Sequence, residues 1–498
     1  MNVDKYSSYK ESNIQWFGKI PKHWTMDRLK WSIKFCKNGA WGSEPDGIKD
    51  IACIRVADFD RIKLNITSNE FTLRAFEEKE IKDRLLKKED LLIEKSGGGE
   101  KQLVGAVVQF NLNSAAVNSN FIARMPVENN FSSRFLVYLH YHLYSSKVNY
   151  RSVKQTTGIQ NLDSQQYLDE LVCYPPLPEQ KSIADFLDYK TSQIDTLIEK
   201  KEKLLKFLEE KRIALITSTV TGKIYNSPLG RGLRGGSINK SDKVKLKPSN
   251  IPWLGDIPGN WKIKRLRFLL SNNFSNGIFK KREFWGEGIK IINVSDIYSK
   301  DFTINTNFLD SVSCTEEEYL NYKVKNGDFF FVRSSLKLEG IGQSASFISS
   351  NNKKEPLVFE CHLIKGSPDQ SLINPGYLNF YLNSSLSKNT FISEANTVTM
   401  TTIDQMKFKD CFICYPSLEE QEKIVEYLDT ELEKIDSLSK KVEENIGYLK
   451  EYRTSLITSA VTGKIDVCNW QKPSLSLARR GTEGEAKQDI QTAEEKLK

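Results

Sequence analysis

The chain is written twice. Tyr174 to Ile224 (YPPLPEQKSIADFLDYK…LITSTVTGKI) aligns without a gap on Tyr415 to Ile465 (YPSLEEQEKIVEYLDTE…LITSAVTGKI), with about half of the positions identical. A shorter match lies upstream of each. Asn13-Ile14-Gln15-Trp16-Phe17-Gly18-Lys19-Ile20-Pro21 returns as Asn250-Ile251-Pro252-Trp253-Leu254-Gly255-Asp256-Ile257-Pro258, and Trp24 with Arg28-Leu29 returns as Trp261 with Arg265-Leu266. A repeat this long means tandem domains and not a solenoid of short units. Each copy is a variable globular part followed by a shared segment, and 498 residues exceed what one core accommodates.

The shared segment reads as a long helix. The prolines of Pro175-Pro176-Leu177-Pro178 bar a helix before it, and Glu179 places an acid in the first turn, where the helix dipole favours one. Apolar residues then alternate at spacings of three and four: Ile183, Leu187, Ile194, Leu197, Leu204, Leu208 and Leu215, matched by Ile424, Leu428, Ile435, Leu438, Val442, Leu449 and Leu456. That spacing is a coiled-coil seam, and the other copy is its natural partner. About 40 helical residues at a rise of 1.5 Å make a rod of about 60 Å. Lys190, Lys201, Lys211, Glu431 and Asn445 interrupt the seam; antiparallel pairing about the midpoint sets Lys211 near Glu431 as a register device. Gly222 and Gly463 stand as C-caps.

These features divide the chain into globular parts at 1–172 and 249–412, helical segments at 173–226 and 413–467, a Gly/Arg-rich flexible linker at 227–248 and a polar, disordered tail at 468–498. The globular parts resemble each other weakly, yet Val56-Ala57-Asp58 answers to Val294-Ser295-Asp296, and Asp90-Leu91 to Asp328-Phe329. Leu91–Ile93 and Phe329–Phe331 read as strands, Phe135–Leu143 and Tyr377–Leu382 as short helices, so each part is a mixed α/β domain.

Loops in both parts mix Arg/Lys for phosphates, Asn/Gln/Ser/Thr for base edges and Gly for close approach. In the first, the candidates for DNA contact are Lys37, Asn38 and Trp41; Lys95, Ser96, Lys101 and Gln102; and Arg151, Lys154, Gln155 and Thr157. In the second they are Asn276, Lys280, Lys281 and Arg282; Arg333, Ser334 and Lys337; and Thr399 and Thr401. Singly, each also suits a solvated hairpin; the set points to DNA. A net charge of +8 permits that partner without requiring it.

Other chemistries lack their residues. No stretch approaches the roughly 20 apolar residues of a membrane span, and the N-terminus has no apolar core of a secretory signal, which leaves the cytoplasm as the expected compartment. Cys411 and Cys414 form a CxxC inside an apolar strand-like run, with no second ligand pair for zinc. Thr221-Gly222-Lys223-Ile224 lacks the upstream glycine and the Ser/Thr of a phosphate loop. Tyr174-Pro175-Pro176-Leu177 lacks the leading amide or acid of the adenine-methyltransferase element and reads as a strand-to-helix junction. With four histidines and no acid–base set, no catalytic residues and no metal ligands are assigned.

Taken together, the W-x-G-x-I-P element before each variable part, P-x-L-x-E-Q opening each helix and LITS-x-VTGKI closing it make the chain, to about residue 468, similar to the specificity subunits of type I restriction-modification systems. The resemblance implies an α+β architecture: two target recognition domains in pseudo-twofold arrangement, separated by two long antiparallel coiled-coil helices. It implies a non-catalytic subunit that reads an asymmetric bipartite target on double-stranded DNA. Two methyltransferase subunits and the restriction subunits would be its partners, with S-adenosylmethionine, ATP and magnesium used by them and no cofactor of its own. Two rivals remain: a stand-alone DNA-binding scaffold, and an enzyme whose site carries no familiar motif.

Overall fold

The computed structural model describes residues 5–68, 70–98, 102–156, 158–226, 244–335, 338–348, 356–397 and 401–471. Two long helices run through it, Leu177–Val220 and Leu418–Val461, each of 44 residues. The chain divides into two compact units, Met1–Glu202 with Glu443–Lys498, and Lys203–Val442. Each unit therefore holds one variable part, the start of the helix that follows it and the end of the other copy's helix.

In the first unit, Arg453 Nε donates to Asp195 Oδ1 at 2.8 Å and its Nη2 to the Ile62 carbonyl. In the second, Arg212 Nη1 meets both Asp436 oxygens at 2.9 Å and its Nη2 reaches the Lys300 carbonyl. Arg212 and Arg453 occupy one position of the repeat, Asp195 and Asp436 another. The same clamp is therefore built twice, between helix segments running antiparallel. Register rests on these two pairs and not on the expected Lys211–Glu431 contact: Glu431 is bridged to Lys434 on its own helix at 2.7 Å. An arginine's planar fork presents parallel donors that hold a carboxylate and a backbone carbonyl in a fixed geometry, whereas a lysine ammonium is a less directional point charge.

The repeated motifs explain one another within each unit. Trp24 Nε1 and Tyr6 OH donate to Glu179 Oε1 at 2.9 and 2.7 Å. Trp261 Nε1 and Tyr225 OH donate to Glu420 Oε1 at 2.9 and 2.8 Å. The neighbouring glutamines accept from the backbone that enters the short helices: Gln180 Oε1 from Ser132 N at 2.9 Å, Gln421 Oε1 from Asn374 N at 2.7 Å. Gly463 and Gly222 end the long helices in the left-handed region, at φ +71° and +73°. A Cβ there would stand 2.3 Å from Pro21 and 2.4 Å from Pro258, so each glycine is fixed by the proline of the W-x-G-x-I-P element. Leu246–Pro248, the end of the stretch read as linker, is a strand paired with Asp256–Pro258, repeating the pairing of Tyr9–Glu11 with Lys19–Pro21. In the stretch read as tail, the Trp470 ring lies 5.4 Å from those of Phe186 and Tyr189. Residues 227–243 and 472–498 lie outside those described.

Both variable parts are mixed α/β, as the sequence implies. The first carries a six-stranded sheet whose centre is Ile122–Met125, Leu91–Glu94 and Val107–Gln109, a three-stranded sheet with Asp50–Ile54 in the middle, and a small sheet of Ser96–Gly97, Ile159–Leu162 and Val153–Thr156. The second repeats the plan: Leu363–Gly366, Phe329–Val332 and Ser344–Ser346; Trp285–Ile292 in the middle of a second sheet; and Ser334–Ser335, Thr401–Thr402 and Asn396–Thr397 as the small sheet. The predicted helices are Ser133–Ser145 and Pro375–Leu382.

Seam residues enter the cores of both units. Ile183, Leu187, Ile194, Leu449 and Leu456 are buried with Trp24 and Phe135, with Leu197 packed against them. Leu208, Leu215, Ile424, Leu428 and Ile435 are buried with Trp261 and Tyr377. Full burial of such a side chain stabilises by about 1.5–3 kcal/mol. Val442 is buried too, while Leu204 and Leu438 stay 41% and 45% exposed.

Candidate nucleic-acid interface

In the first unit the end of the six-stranded sheet, the small sheet and the loop after Asn38 meet. Gly39 allows this approach: a Cβ on it would fall 1.6 Å from the Asn118 carbonyl oxygen. The chain then delivers Trp41, whose ring is covered by the Arg74 guanidinium at 4.6 Å. Trp41, Ser96 and Gln102, drawn from two separate candidate loops, line one groove of about 860 Å³, together with Arg55, Phe121 and Ile159. Phe121 and Ile159 are exposed, which is how a contact surface differs from a core.

A polar frame stiffens the groove. Ser96 Oγ donates to Asn161 Oδ1 at 2.6 Å across the small sheet. Behind it, Arg61 Nη2 is bound to Glu94 at 2.8 Å, and the Gln102 amide lies against the same guanidinium, where turning its oxygen inward lets it accept from Nη2 at 2.7 Å and Nε at 2.9 Å. Lys37 lies 3.7 Å from Asp83, on the strand Lys37–Asn38. Lys95 gives its backbone to the Phe121 and Leu162 partners. Arg151 stacks over Trp16 at 5.0 Å, Lys154 pairs with Asp163 at 2.9 Å, and exposed Gln155 lies opposite Gln160 in the small sheet. Lys101 and Thr157 fall outside the described residues.

The second unit repeats the frame with other side chains. Gly277 stands where Gly39 does, its Cβ position 2.1 Å from the Glu360 carbonyl oxygen. Asn276 Oδ1 accepts from Gln405 Nε2 at 2.7 Å. Arg333 N donates to the His362 carbonyl and Ile403 N to the Arg333 carbonyl, as Lys95 N does to Phe121 and Leu162 N to Lys95. Arg333 and His362 are thus the counterparts of Lys95 and Phe121. Ser334 Oγ is 2.9 Å from His362 Nδ1. Lys281 and Arg282 are exposed, whereas Lys280 is 11% exposed and bound to Glu318 at 2.7 Å, which commits its charge within the unit. Thr401 is buried in the small sheet. Lys337 and Thr399 lie outside the described residues.

Arg55, Phe121 and Ile159 were missed in the sequence. Arg55 immediately precedes the shared Val56-Ala57-Asp58 punctuation, a signal that could have marked it; single exposed apolar residues leave none.

Glu360, Cys361 and His362 bring their donor atoms within 4.8 Å of one another. They are consecutive, one donor short of a tetrahedral set, and His362 Nδ1 is already engaged by Ser334. Burial pushes the Cys411 and Cys414 thiols up to about 12, so the CxxC stays protonated inside its strand. No helix among the described residues is long and apolar enough to cross a membrane.

The family model described as "Type I restriction modification DNA specificity domain" matches this chain twice, over residues 56–206 and 258–448. The chain is 25% identical over 348 residues to the EcoBI specificity subunit of Escherichia coli, spanning 68% of this chain and 67% of that one. It is 21% identical over 455 residues to the EcoKI specificity subunit of Escherichia coli strain K12, spanning 90% of each. A chain solved in work on the "structural basis underlying complex assembly and conformational transition of the type I R-M system" shares the fold, with a TM-score of 0.59 at 14% identity over 89% of this chain and 98% of that one.

Proposed function

The chain belongs to the family of type I restriction-modification specificity subunits, and from that premise we propose that each of its two units reads one half of an asymmetric, bipartite DNA target. As a specificity subunit it carries no catalysis of its own. Adenine methylation falls to two methyltransferase subunits that bind S-adenosylmethionine and flip the target base, and cleavage to ATP-dependent restriction subunits. What this chain contributes is positioned readout.

One observation carries the reading: the same small sheet and the same glycine-enabled approach occur in both units, lined by different side chains. Trp41, Ser96 and Gln102 share one groove in the first unit, with aromatic surface and amide and hydroxyl groups of the kind that contact base edges. In the second, Ser334 keeps the place of Ser96, but His362 stands where Phe121 does and Asn293 where Arg55 does. A conserved frame with divergent lining predicts two half-sites of different sequence.

The test is to express the chain with its methyltransferase partner in a methylation-free host and sequence the DNA by a single-molecule method. N6-methyladenine in one two-part motif with a fixed spacer is the expected result. A soluble complex with an active methyltransferase that leaves no defined motif overturns the reading.

A further inference from the structure

Arg55 sits at the end of strand Asp50–Ile54, where a short 3-10 turn, Val56–Asp58, begins. Its backbone is fixed there: Arg55 N donates to Asp58 Oδ2 at 2.7 Å. Its side chain is held less firmly. Arg61, Arg74, Arg124 and Arg134 each hold a carboxylate at 2.8 Å or closer. Arg55 Nη2 reaches Asp58 Oδ1 only at 3.5 Å, and its buried Nε has no hydrogen-bond partner. Beyond this one long ion pair the guanidinium is 41% exposed, and it lines the groove beside Trp41 and Gln102.

The second unit shows that the turn itself does not need an arginine. Asn293 takes the equivalent place, with its backbone N on Asp296 Oδ2 at the same 2.7 Å, and its side chain is tied to Asp310 at 3.0 Å. The turn is conserved; the loosely held guanidinium is particular to the first unit.

We infer that Arg55 is a specificity-determining residue that donates through its planar fork to O6 and N7 of a guanine in the half-site read by the first unit. This rests on the DNA-reading function proposed above. Arginine suits the role because guanine offers two adjacent major-groove acceptors that match its parallel donors. A rigid backbone and a side chain held by only one long ion pair suit such a contact, since little has to be broken or ordered when DNA arrives.

The experiment compares methylation motifs written by the wild-type complex and by complexes carrying Arg55→Ala, Arg55→Asn or Arg55→Lys, each checked by thermal melting. With Ala or Asn, methylation spreads to sites lacking guanine at one position of one half-site, rising about tenfold or more over wild type there. The other half-site stays unchanged, and Lys retains part of the preference. An unchanged motif in the melting-competent Lys and Asn variants overturns the inference. So does a uniform fall in methylation at all sites with no position relaxed, which marks a phosphate contact. If the wild-type complex writes no motif, it is the underlying function that has failed, and the two failures are thereby distinguished.

Discussion

The two units share a scaffold and differ in what they bury. Their frames agree to the level of individual hydrogen bonds: tryptophan to glutamate, glutamine to the entering backbone, arginine to aspartate. Their interiors do not agree. The first unit closes its sheet with Arg124 Nε on Asp90 Oδ2 at 2.6 Å, both nearly buried. The second places Lys365 there, 3.9 Å from Asp328, and gives Asp328 a Ser367 hydroxyl at 2.6 Å as well. The first unit also buries His140 and His142 on its short helix, where the second has Leu382 and Ser384. Duplication has preserved the contacts between repeated motifs, while the domain interior has drifted together with the loops it supports.

The largest difference should come from breaking the buried pairs. Arg124→Met leaves Asp90 charged and buried without its partner, at a cost of about 3–5 kcal/mol. Lys365→Met should cost less, because Ser367 still serves Asp328 and burial already pushes that carboxyl up and the Lys365 ammonium down. Hydrogen exchange followed by mass spectrometry reports each unit separately. Equal losses of protection in the two variants would show that the geometric difference between the pairs is energetically empty.

Acid should separate the units next. Burial pushes the His140 imidazole down to about 3 and that of His142 to about 4. His142 is satisfied while neutral, with its Nε2–H facing the Trp16 carbonyl at 3.1 Å and its Nδ1 facing the Thr458 hydroxyl at 3.2 Å. His140 Nδ1 meets the Tyr167 hydroxyl at 2.7 Å. With folded-state values below the ordinary 6.5, the unfolded chain binds more protons as pH falls through that value. The stability these groups contribute is therefore complete above about pH 6.5 and is lost progressively down to about 4 for His142 and about 3 for His140, by about 2 kcal/mol per histidine at pH 5. The first unit should lose exchange protection first on acidification, and His142→Asn should flatten that difference. Simultaneous loss in both units would argue against it.

A smaller effect tests what the units share. Glu179→Gln and Glu420→Gln keep the side-chain shape but remove the charge that Trp24, Tyr6, Trp261 and Tyr225 address, for a loss of about 1 kcal/mol each. Thermal melts of the two variants should shift alike. An unequal shift would mean that His23, which reaches Glu179 Oε2 at 2.7 Å where the second unit has Asn260 on Glu420 Oε2 at 3.2 Å, changes the frame.

The frame was legible in the sequence because duplication is a comparison carried within one chain. Both helices, the cap glycines, the seam residues Ile183 and Ile424 and the mixed α/β class followed from repeated letters and spacing. The clamp of Arg212 on Asp436 was not legible, because a charged residue on a helix face looks the same whether it meets water or a partner helix. The lining of the groove was legible only in part. Trp41 and the Ser96–Gln102 loop were candidates, but Arg55, Phe121 and Ile159, from three other segments, join them only in the folded sheet. Lys280 shows the reverse error: a lysine in a polar loop reads as free for phosphate until Glu318, from a distant helix, is seen to hold it.

The smallest effect separates contacts that hold DNA from contacts that read it. Lys281 and Arg282 are exposed and available to phosphate, whereas Gln102 is oriented by Arg61 at the groove. Lys281→Ala and Arg282→Ala should weaken binding of all sequences alike and reduce the slope of log affinity against log salt by about one phosphate contact each. Gln102→Ala should leave that slope unchanged and relax one base position in the other half-site. The contrast is physical: a phosphate contact displaces a counterion from DNA of any sequence, but an amide at a base edge displaces water and is replaced by nothing when the base is wrong. A change of salt slope in Gln102→Ala, or a change of motif in Lys281→Ala, would reverse those two roles.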